Sequence, residues 1–225
     1  MFPTAPVPAA SSYAAGLPTL TATDLACRRG NRLLFSGVNL AVRAGQATWL
    51  RGANGRGKTS LLRLAAGLAV PDSGQVTWGE APVRRAPGYA QQLVFVAHTN
   101  ALKDDLTVTE SLRFLALICG RNSKLESVHA ALQAVDMYSR RDALVRTLSQ
   151  GQRRRASLAR LALEHTKSIW ILDEPFDALD DDGVQRINKL ISAHLARGGS
   201  ALLTSHQASS TAGLNMTEFD LDRFA

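Results

Sequence analysis

The sequence has few cysteines and no long apolar run. Cys27 and Cys119 are the two cysteines among 225 residues, and they lie far apart. This spacing argues against a disulfide framework or a cysteine metal site, so both thiols are expected to be buried small side chains in a reducing compartment. Because no apolar stretch approaches the roughly 18 residues that a membrane-spanning helix needs, no transmembrane segment is predicted.

Residues 1–17 lack the two features of a secretory signal, a basic start and an apolar centre. They are rich in proline, alanine and serine, a composition that favours a disordered tail. With 45% hydrophobic residues in the whole chain, residues 18–225 are predicted to form a single domain.

The densest basic run lacks the interleaved aromatic residues that nucleic-acid surfaces use for stacking. Arg153, Arg154 and Arg155 continue in helical register into Ala156 and Leu158. We therefore expect a solvated helix face rather than a nucleic-acid patch. The net charge of +7 and the pI of about 10.0 still favour an anionic partner, such as a nucleotide, a nucleic acid or an anionic membrane surface.

Short apolar segments bounded by turn residues predict two kinds of sheet. Three of them at the N-terminus are expected to form an antiparallel layer. Four later ones, which are largely apolar, are expected to form a parallel sheet that is buried on both faces. The N-terminal segments are 20–27, 33–35 and 38–42, and the later ones are 47–50, 93–96, 169–172 and 201–203. Between the second and third of the later segments the pattern turns helical, opening with a capping box from Thr107 to Glu110. The predicted fold class is α/β, with a helical insertion into a parallel sheet.

Residues 52–59 fit the pattern G-x-x-x-x-G-K-[ST], which wraps a polyphosphate. The predicted phosphate loop consists of Gly52, Ala53, Asn54, Gly55, Arg56, Gly57, Lys58 and Thr59. Its glycines let successive backbone N–H groups point at phosphate oxygens, and the following helix aims its N-terminus at them. Lys58 is expected to contact the β and γ phosphates, and Thr59 to offer its hydroxyl to Mg²⁺.

Two adjacent carboxylates follow the apolar segment 169–172. Because ligands bind at the carboxyl ends of parallel strands, Asp173 is placed to hold Mg²⁺ through water and Glu174 to polarise the attacking water. His206 follows the segment 201–203 and is expected to reach the γ phosphate. The histidines in helical or polar stretches are expected at the surface: His129, His165 and His194.

A second phosphate-binding surface is predicted where Ser149 caps a helix that contains the small Gly151. One subunit does not need two such surfaces for one ATP. We therefore expect two subunits packed head to tail, each closing the other's site.

Several motifs in a fixed order resemble an ABC-transporter ATPase subunit. They are the phosphate loop, 148–152, Asp173 with Glu174, 176–180, and His206. The resemblance covers about residues 20–210 and implies a RecA-like P-loop NTPase fold with a helical subdomain at about 100–147. It also implies a homodimer that binds ATP and Mg²⁺ and hydrolyses ATP. In that family pattern 177–180 couple the two sites, the antiparallel layer holds the base, and the helical subdomain receives an integral membrane permease.

Three positions depart from the usual family pattern. Arg29 stands where an aromatic residue usually stacks on adenine, His98 stands where a lid glutamine contacts Mg²⁺ or water, and Gln150 replaces a glycine. A guanidinium also stacks on a base. With the segments 27–30, 34–37, 170–176 and 205–207, these departures resemble the ATP-binding subunit of the cytochrome c maturation (Ccm) haem exporter.

That resemblance implies a peripheral protein at the cytoplasmic face of the bacterial inner membrane. Its substrate would be haem, or a haem-loaded chaperone released on the far side of the membrane, and no direct contact with nucleic acid is expected. Two alternatives remain from the sequence. One is a soluble ABC-type ATPase that acts on nucleic acid or the ribosome, which the high pI favours slightly. The other is a nucleotide-binding module without hydrolysis, which Glu174 and His206 argue against.

Overall fold

The structure is a computed structural model that describes residues 16–206, 214 and 216–224. Most of the predicted tail, residues 1–15, lies outside the described residues. The strands are β1 (Leu20–Arg29), β2 (Arg32–Val42), β3 (Ala47–Arg51), β4 (Ser73–Trp78), β5 (Ala81–Pro82), β6 (Leu93–Val96), β7 (Ile169–Leu172), β8 (Ser200–Thr204) and β9 (Met216–Asp220). The α-helices are α1 (Lys58–Ala65), α2 (Tyr89–Gln92), α3 (Val108–Ile118), α4 (Leu125–Ala134), α5 (Gln150–Leu158) and α6 (Asp181–Ala196). Within these described residues, 3₁₀ turns cover Tyr138–Arg140, Val145–Thr147, Ala159–Leu163 and Leu221–Phe224.

The parallel sheet has the strand order β6-β7-β8-β3-β9. Its central strands are covered on both faces, since Trp170 and Leu172 of β7 pack into one core while Ile169 and Ile171 pack into the other. This double burial explains the continuous apolar run that predicted the strand. The expectation of full burial was wrong for β6, which is the edge strand, so that its residues alternate between buried and half-buried.

The antiparallel sheet has the order β2-β1-β4-β5 and packs its apolar side against α1 and the parallel sheet. The segments 33–35 and 38–42, expected as separate strands, are parts of the single strand β2. Register shifts in its pairing with β1 account for the irregular apolar pattern that made it look interrupted. β4 and β5 were not expected from the sequence, because Gly74 and polar residues weaken the strand pattern there.

Helices α3 and α4 pack against each other and against the 3₁₀ turn Ala159–Leu163, in the core on the other face of the parallel sheet. The predicted capping box is confirmed: the Thr107 hydroxyl accepts the N–H of Glu110 at 3.2 Å, and Glu110 accepts the N–H of Thr107 at 2.8 Å. Cys27 is buried as expected, but the expectation was wrong for Cys119, which ends α3 at an exposed position. Within the described ranges no helix is long and apolar enough to cross a bilayer.

Candidate active site

The phosphate loop connects β3 to α1, as the sequence predicts. Gly57 has a φ of +104°, and a Cβ there would lie 3.1 Å from side-chain atoms of Leu34 and Phe35. Both constraints favour glycine, because an L side chain would be strained and crowded. The ammonium of Lys58 folds back over the loop and donates to the carbonyl oxygen of Gly52 at 2.6 Å. The loop thus brings the Lys58 ammonium close to the N-terminus of α1, which carries the positive end of the helix dipole.

Asp173 follows β7 and faces the start of α1. The Thr59 hydroxyl donates to Asp173 Oδ2 at 2.9 Å, and the Thr204 hydroxyl donates to Oδ1 at 3.0 Å. The sheet therefore brings together the hydroxyl and the carboxylate that the sequence predicts for Mg²⁺. These are hard oxygen donors of the kind Mg²⁺ prefers, and they leave room for phosphate and water ligands, so the donor set fits this ion.

Glu174 is held in an unusual backbone conformation beside His206. Its φ is +48°, and its N–H donates to the Thr204 hydroxyl at 2.8 Å. The His206 backbone N–H donates to Glu174 Oε2 at 3.1 Å, and His206 Nε2 lies 3.3 Å from Oε1. Burial raises the pKa of Glu174, while the neighbouring His206 opposes that shift. A carboxylate with a raised pKa, fixed by strained backbone, suits a group that orients and polarises water.

His206 is positioned in turn by β3. The Trp49 indole Nε1 donates to the carbonyl oxygen of Ser205 at 3.2 Å, which fixes the chain just before the histidine. Of the other histidines, His165 is exposed as expected and His129 is half-buried, whereas the expectation was wrong for His194. His194 is fully buried because its ring stacks on Trp170 with 3.8 Å between centroids.

A cavity of about 410 Å³ unites most of the predicted residues. Predicted residues in its lining are Arg29, Ala53, Asn54, Gly55, Gly57, Lys58, Thr59, His98, Asp173, Glu174 and His206. Arg32 and Leu34 of the antiparallel sheet also line it and were not expected. His98 is 63% exposed, and its Nδ1 lies 3.5 Å from Asp177 Oδ2. The antiparallel sheet thus forms one wall of the cavity that the carboxylates also line.

Ser149 and Gly151 do not line this cavity. Ser149 is the N-cap of α5, and its hydroxyl accepts the N–H of Gln152 at 3.3 Å. Gly151 lies against the loop after β7, where a Cβ would come within 2.6 Å of the Ala178 carbonyl oxygen. Within one subunit the exposed Ser149 and the half-buried Gly151 therefore lie at a surface separate from the cavity.

The sequence also failed to predict two residues that support the site from outside the cavity. Arg154 is only 3% exposed and donates to backbone carbonyls beside the carboxylates, so the expected solvated face was wrong for this residue. A run of three arginines alone does not show which one points inward. Asp222, in the 3₁₀ turn Leu221–Phe224, accepts the Ala53 N–H at 3.0 Å and the Arg56 Nε–H at 2.7 Å. It lies beyond every motif, so no local pattern pointed to it.

Comparison with known proteins gives consistent results. Residues 35–177 match the family model described as ABC transporter. The chain is 44% identical over 192 residues to the cytochrome c biogenesis ATP-binding export protein CcmA of Albidiferax ferrireducens, which covers 85% of this chain and 91% of that relative. The CcmA protein of Nitrosospira multiformis is 41% identical over 206 residues, 91% of this chain and 100% of that one.

Solved structures share the fold. A protein from Pyrococcus furiosus, assigned as the ATP-binding protein of an ABC transporter, superposes with a TM-score of 0.79 at 22% identity, covering 92% of this chain and 99% of that one. A second, described as the ATP-binding subunit of an ABC transporter, gives a TM-score of 0.75 at 24% identity and covers 85% and 81%. The architecture is therefore that of ABC ATPase domains.

Proposed function

The chain belongs to the ABC transporter family, as an ATP-hydrolysing subunit, and on that premise we propose that it drives an exporter needed for cytochrome c biogenesis. The observation that carries this proposal is the cavity in which the phosphate loop meets Asp173, Glu174 and His206. The process, cytochrome c biogenesis, is proposed from the relatives that are described as cytochrome c biogenesis export proteins. They favour a membrane exporter over the alternative that acts on nucleic acid.

ATP binding in this proposal uses the loop amides and Lys58 for the phosphates. Thr59 and, through water, Asp173 would hold Mg²⁺, and this ion would neutralise charge on the phosphates. Arg29 stacks on the adenine from the antiparallel wall, and His98 contributes to the lid or to the Mg²⁺ shell. Support for these roles comes from the shared cavity lining.

Hydrolysis proceeds by in-line attack of water on the γ phosphate. Glu174 orients and polarises that water, and His206, bonded to Glu174, contacts the γ phosphate and registers its loss. Lys58 and the loop amides stabilise the charge that spreads over the phosphoryl oxygens in the transition state. The pairing of His206 with Glu174 supports this division of roles.

Two copies of the chain complete each other's sites. Ser149 and Gly151 lie outside the cavity of their own subunit, at the N-terminus of α5, where backbone N–H groups favour an anion. Packed head to tail, the second copy presents this helix end to the γ phosphate bound by the first. Residues 177–180 then lie between the two sites.

The membrane subunit docks on the helical subdomain. The end of α3 exposes large apolar side chains, with Leu117 67% exposed and Ile118 61% exposed. Phe114, one turn earlier, is 41% exposed. Such side chains at spacings of three and four residues form one face of a helix and mark an interaction surface. The proposed cargo is haem, or a haem-loaded chaperone that is released beyond the membrane.

The enzymatic part of this proposal is tested with the purified full chain. Wild type should hydrolyse ATP only with Mg²⁺, and Lys58→Ala should weaken ATP binding by about 1.5–3 kcal/mol, because charge-assisted contacts are lost. Arg63→Ala, on the same helix but outside the cavity, is the control. Equal ATP binding by Lys58→Ala and wild type would contradict the assigned site.

A further inference from the structure

Arg154 lies on α5 and points into the protein, next to the carboxylates. Its guanidinium donates to six oxygens, all of them neutral. They are the carbonyls of Asp173 (2.8 Å), Glu174 (2.6 Å), Pro175 (3.4 Å), Ala97 (3.1 Å) and His98 (3.3 Å), and Oδ1 of Asn100 (3.3 Å). One side chain thus links α5, the segment after β7 and the segment after β6.

This arrangement uses the geometry of arginine in full. Five N–H groups in a rigid plane bridge acceptors that a single ammonium of lysine could not span. Beyond β7 the chain leaves the sheet, so the carbonyls of Asp173 and Glu174 have no strand partner. The guanidinium donates to both of them, and the Glu174 carbonyl also accepts the N–H of Asp177 at 3.2 Å. Burial lowers the pKa of Arg154, and the nearby carboxylates oppose this shift. The six oxygen acceptors compensate the buried cation for the water that it has lost.

We propose that Arg154 is a positioning residue that ties the backbone of Glu174 and His98 to helix α5. This inference rests on the proposed function, in which Ser149 at the start of α5 serves the nucleotide of the other copy. A shift of α5 on contact with that nucleotide is passed through Arg154 to the carboxylate that polarises water. Hydrolysis in one site therefore depends on occupation of the other through this guanidinium.

The neighbouring arginines show that this role belongs to one position. Arg153 pairs with Asp104 at 2.8 Å, and Arg155 lies 3.5 Å from Asp136, and both of these carboxylates are exposed. Neither contacts the carbonyls beside Glu174. Arg153→Gln is therefore a matched control for removal of an arginine from α5.

The test compares steady-state ATP hydrolysis by full-length wild type, Arg154→Gln, Arg154→Lys and Arg153→Gln. For Arg154→Gln we expect kcat to fall on the order of 10- to 100-fold, because a displaced catalytic group costs rate steeply, while KM changes by less than about threefold. The Hill coefficient for ATP should fall to about one. Arg154→Lys should give an intermediate kcat, and Arg153→Gln should match wild type.

Two results would overturn the inference while leaving the proposed function intact. One is a wild-type kcat and Hill coefficient in Arg154→Gln. The other is a loss of kcat that titration with a fluorescent ATP analogue traces entirely to a smaller fraction of binding-competent protein. If Arg154→Gln does not fold, the kcat and the Hill coefficient of Arg154→Lys test the inference in its place. Failure of wild type to hydrolyse ATP would instead contradict the proposed function itself.

Discussion

The carboxylate of Asp222 accepts the Nε–H of Arg56 at 2.7 Å, so the last turn of the described chain touches the phosphate loop. The same carboxylate accepts the N–H of Ala53, and Arg56 together with that N–H keeps the pKa of Asp222 below its usual value. Asp222 is therefore charged at neutral pH and holds the loop from outside the cavity.

Removing this contact should loosen the loop. We expect Asp222→Ala to raise KM for ATP several-fold while kcat stays within about twofold, because a preorganised loop contributes to ground-state and transition-state binding alike. Glu218→Ala is the control, since Glu218 of β9, just before this turn, pairs with Arg51 of β3 at 2.9 Å without touching the loop. Identical KM values for both variants would show that Asp222 has no part in nucleotide binding.

Arg29 should hold the base by stacking, which stabilises ground state and transition state equally. Arg29→Ala is expected to raise KM for ATP roughly two- to fivefold with little change in kcat. Arg28→Ala is the matched control, because Arg28 precedes it in β1 but does not line the cavity. If Arg32→Ala raises KM and Arg29→Ala does not, the base lies against Arg32 instead.

Glu174→Gln should bind ATP but hydrolyse it slowly, so that two copies remain closed around two nucleotides. Light scattering after size exclusion should then give a dimer with ATP and a monomer with ADP. The double variant Glu174→Gln/Lys58→Ala should stay monomeric, because it lacks the phosphate contact. A monomer of Glu174→Gln at saturating ATP, alone and with the membrane partner, would contradict the shared site.

Stability should fall in acid through His194. Burial lowers its pKa to about 4, whereas the unfolded chain has about 6.5. The unfolded state therefore takes up the proton first. The neutral, buried His194 therefore contributes about 3 kcal/mol to the free energy of unfolding. This contribution is complete above pH 6.5 and is lost as the pH falls toward 4. Urea unfolding across this range should show a smaller pH dependence for His194→Phe than for wild type, and no such reduction for the exposed His165→Gln.

The sequence predicted those features whose signal is local. The Thr107 and Ser149 caps, the apolar strand β7 and the phosphate loop each depend on neighbouring residues, and the structure has all of them. The joint placement of Thr59 and Asp173 followed from one further rule, that ligands bind at the carboxyl ends of parallel strands.

The features that the sequence did not predict depend on contacts between segments that are far apart along the chain. Arg154 is buried because carbonyls from two other segments surround it, while Arg153, in the same helix, pairs with an exposed aspartate. Asp222 reaches the loop because β9 pairs with β3 over its whole length. Neither contact produces a periodic pattern in the sequence, so the residues around Arg154 or Asp222 do not indicate its role.

The most direct test of the central claim measures holo-cytochrome c in a strain that lacks this gene. Covalent haem staining should show c-type cytochromes lost from the deletion strain while b-type haem proteins remain. Wild type supplied in trans should restore them, and Glu174→Gln should not, because the exporter then binds ATP without turning it over. Normal c-type cytochromes in the deletion strain would contradict the role in cytochrome c biogenesis.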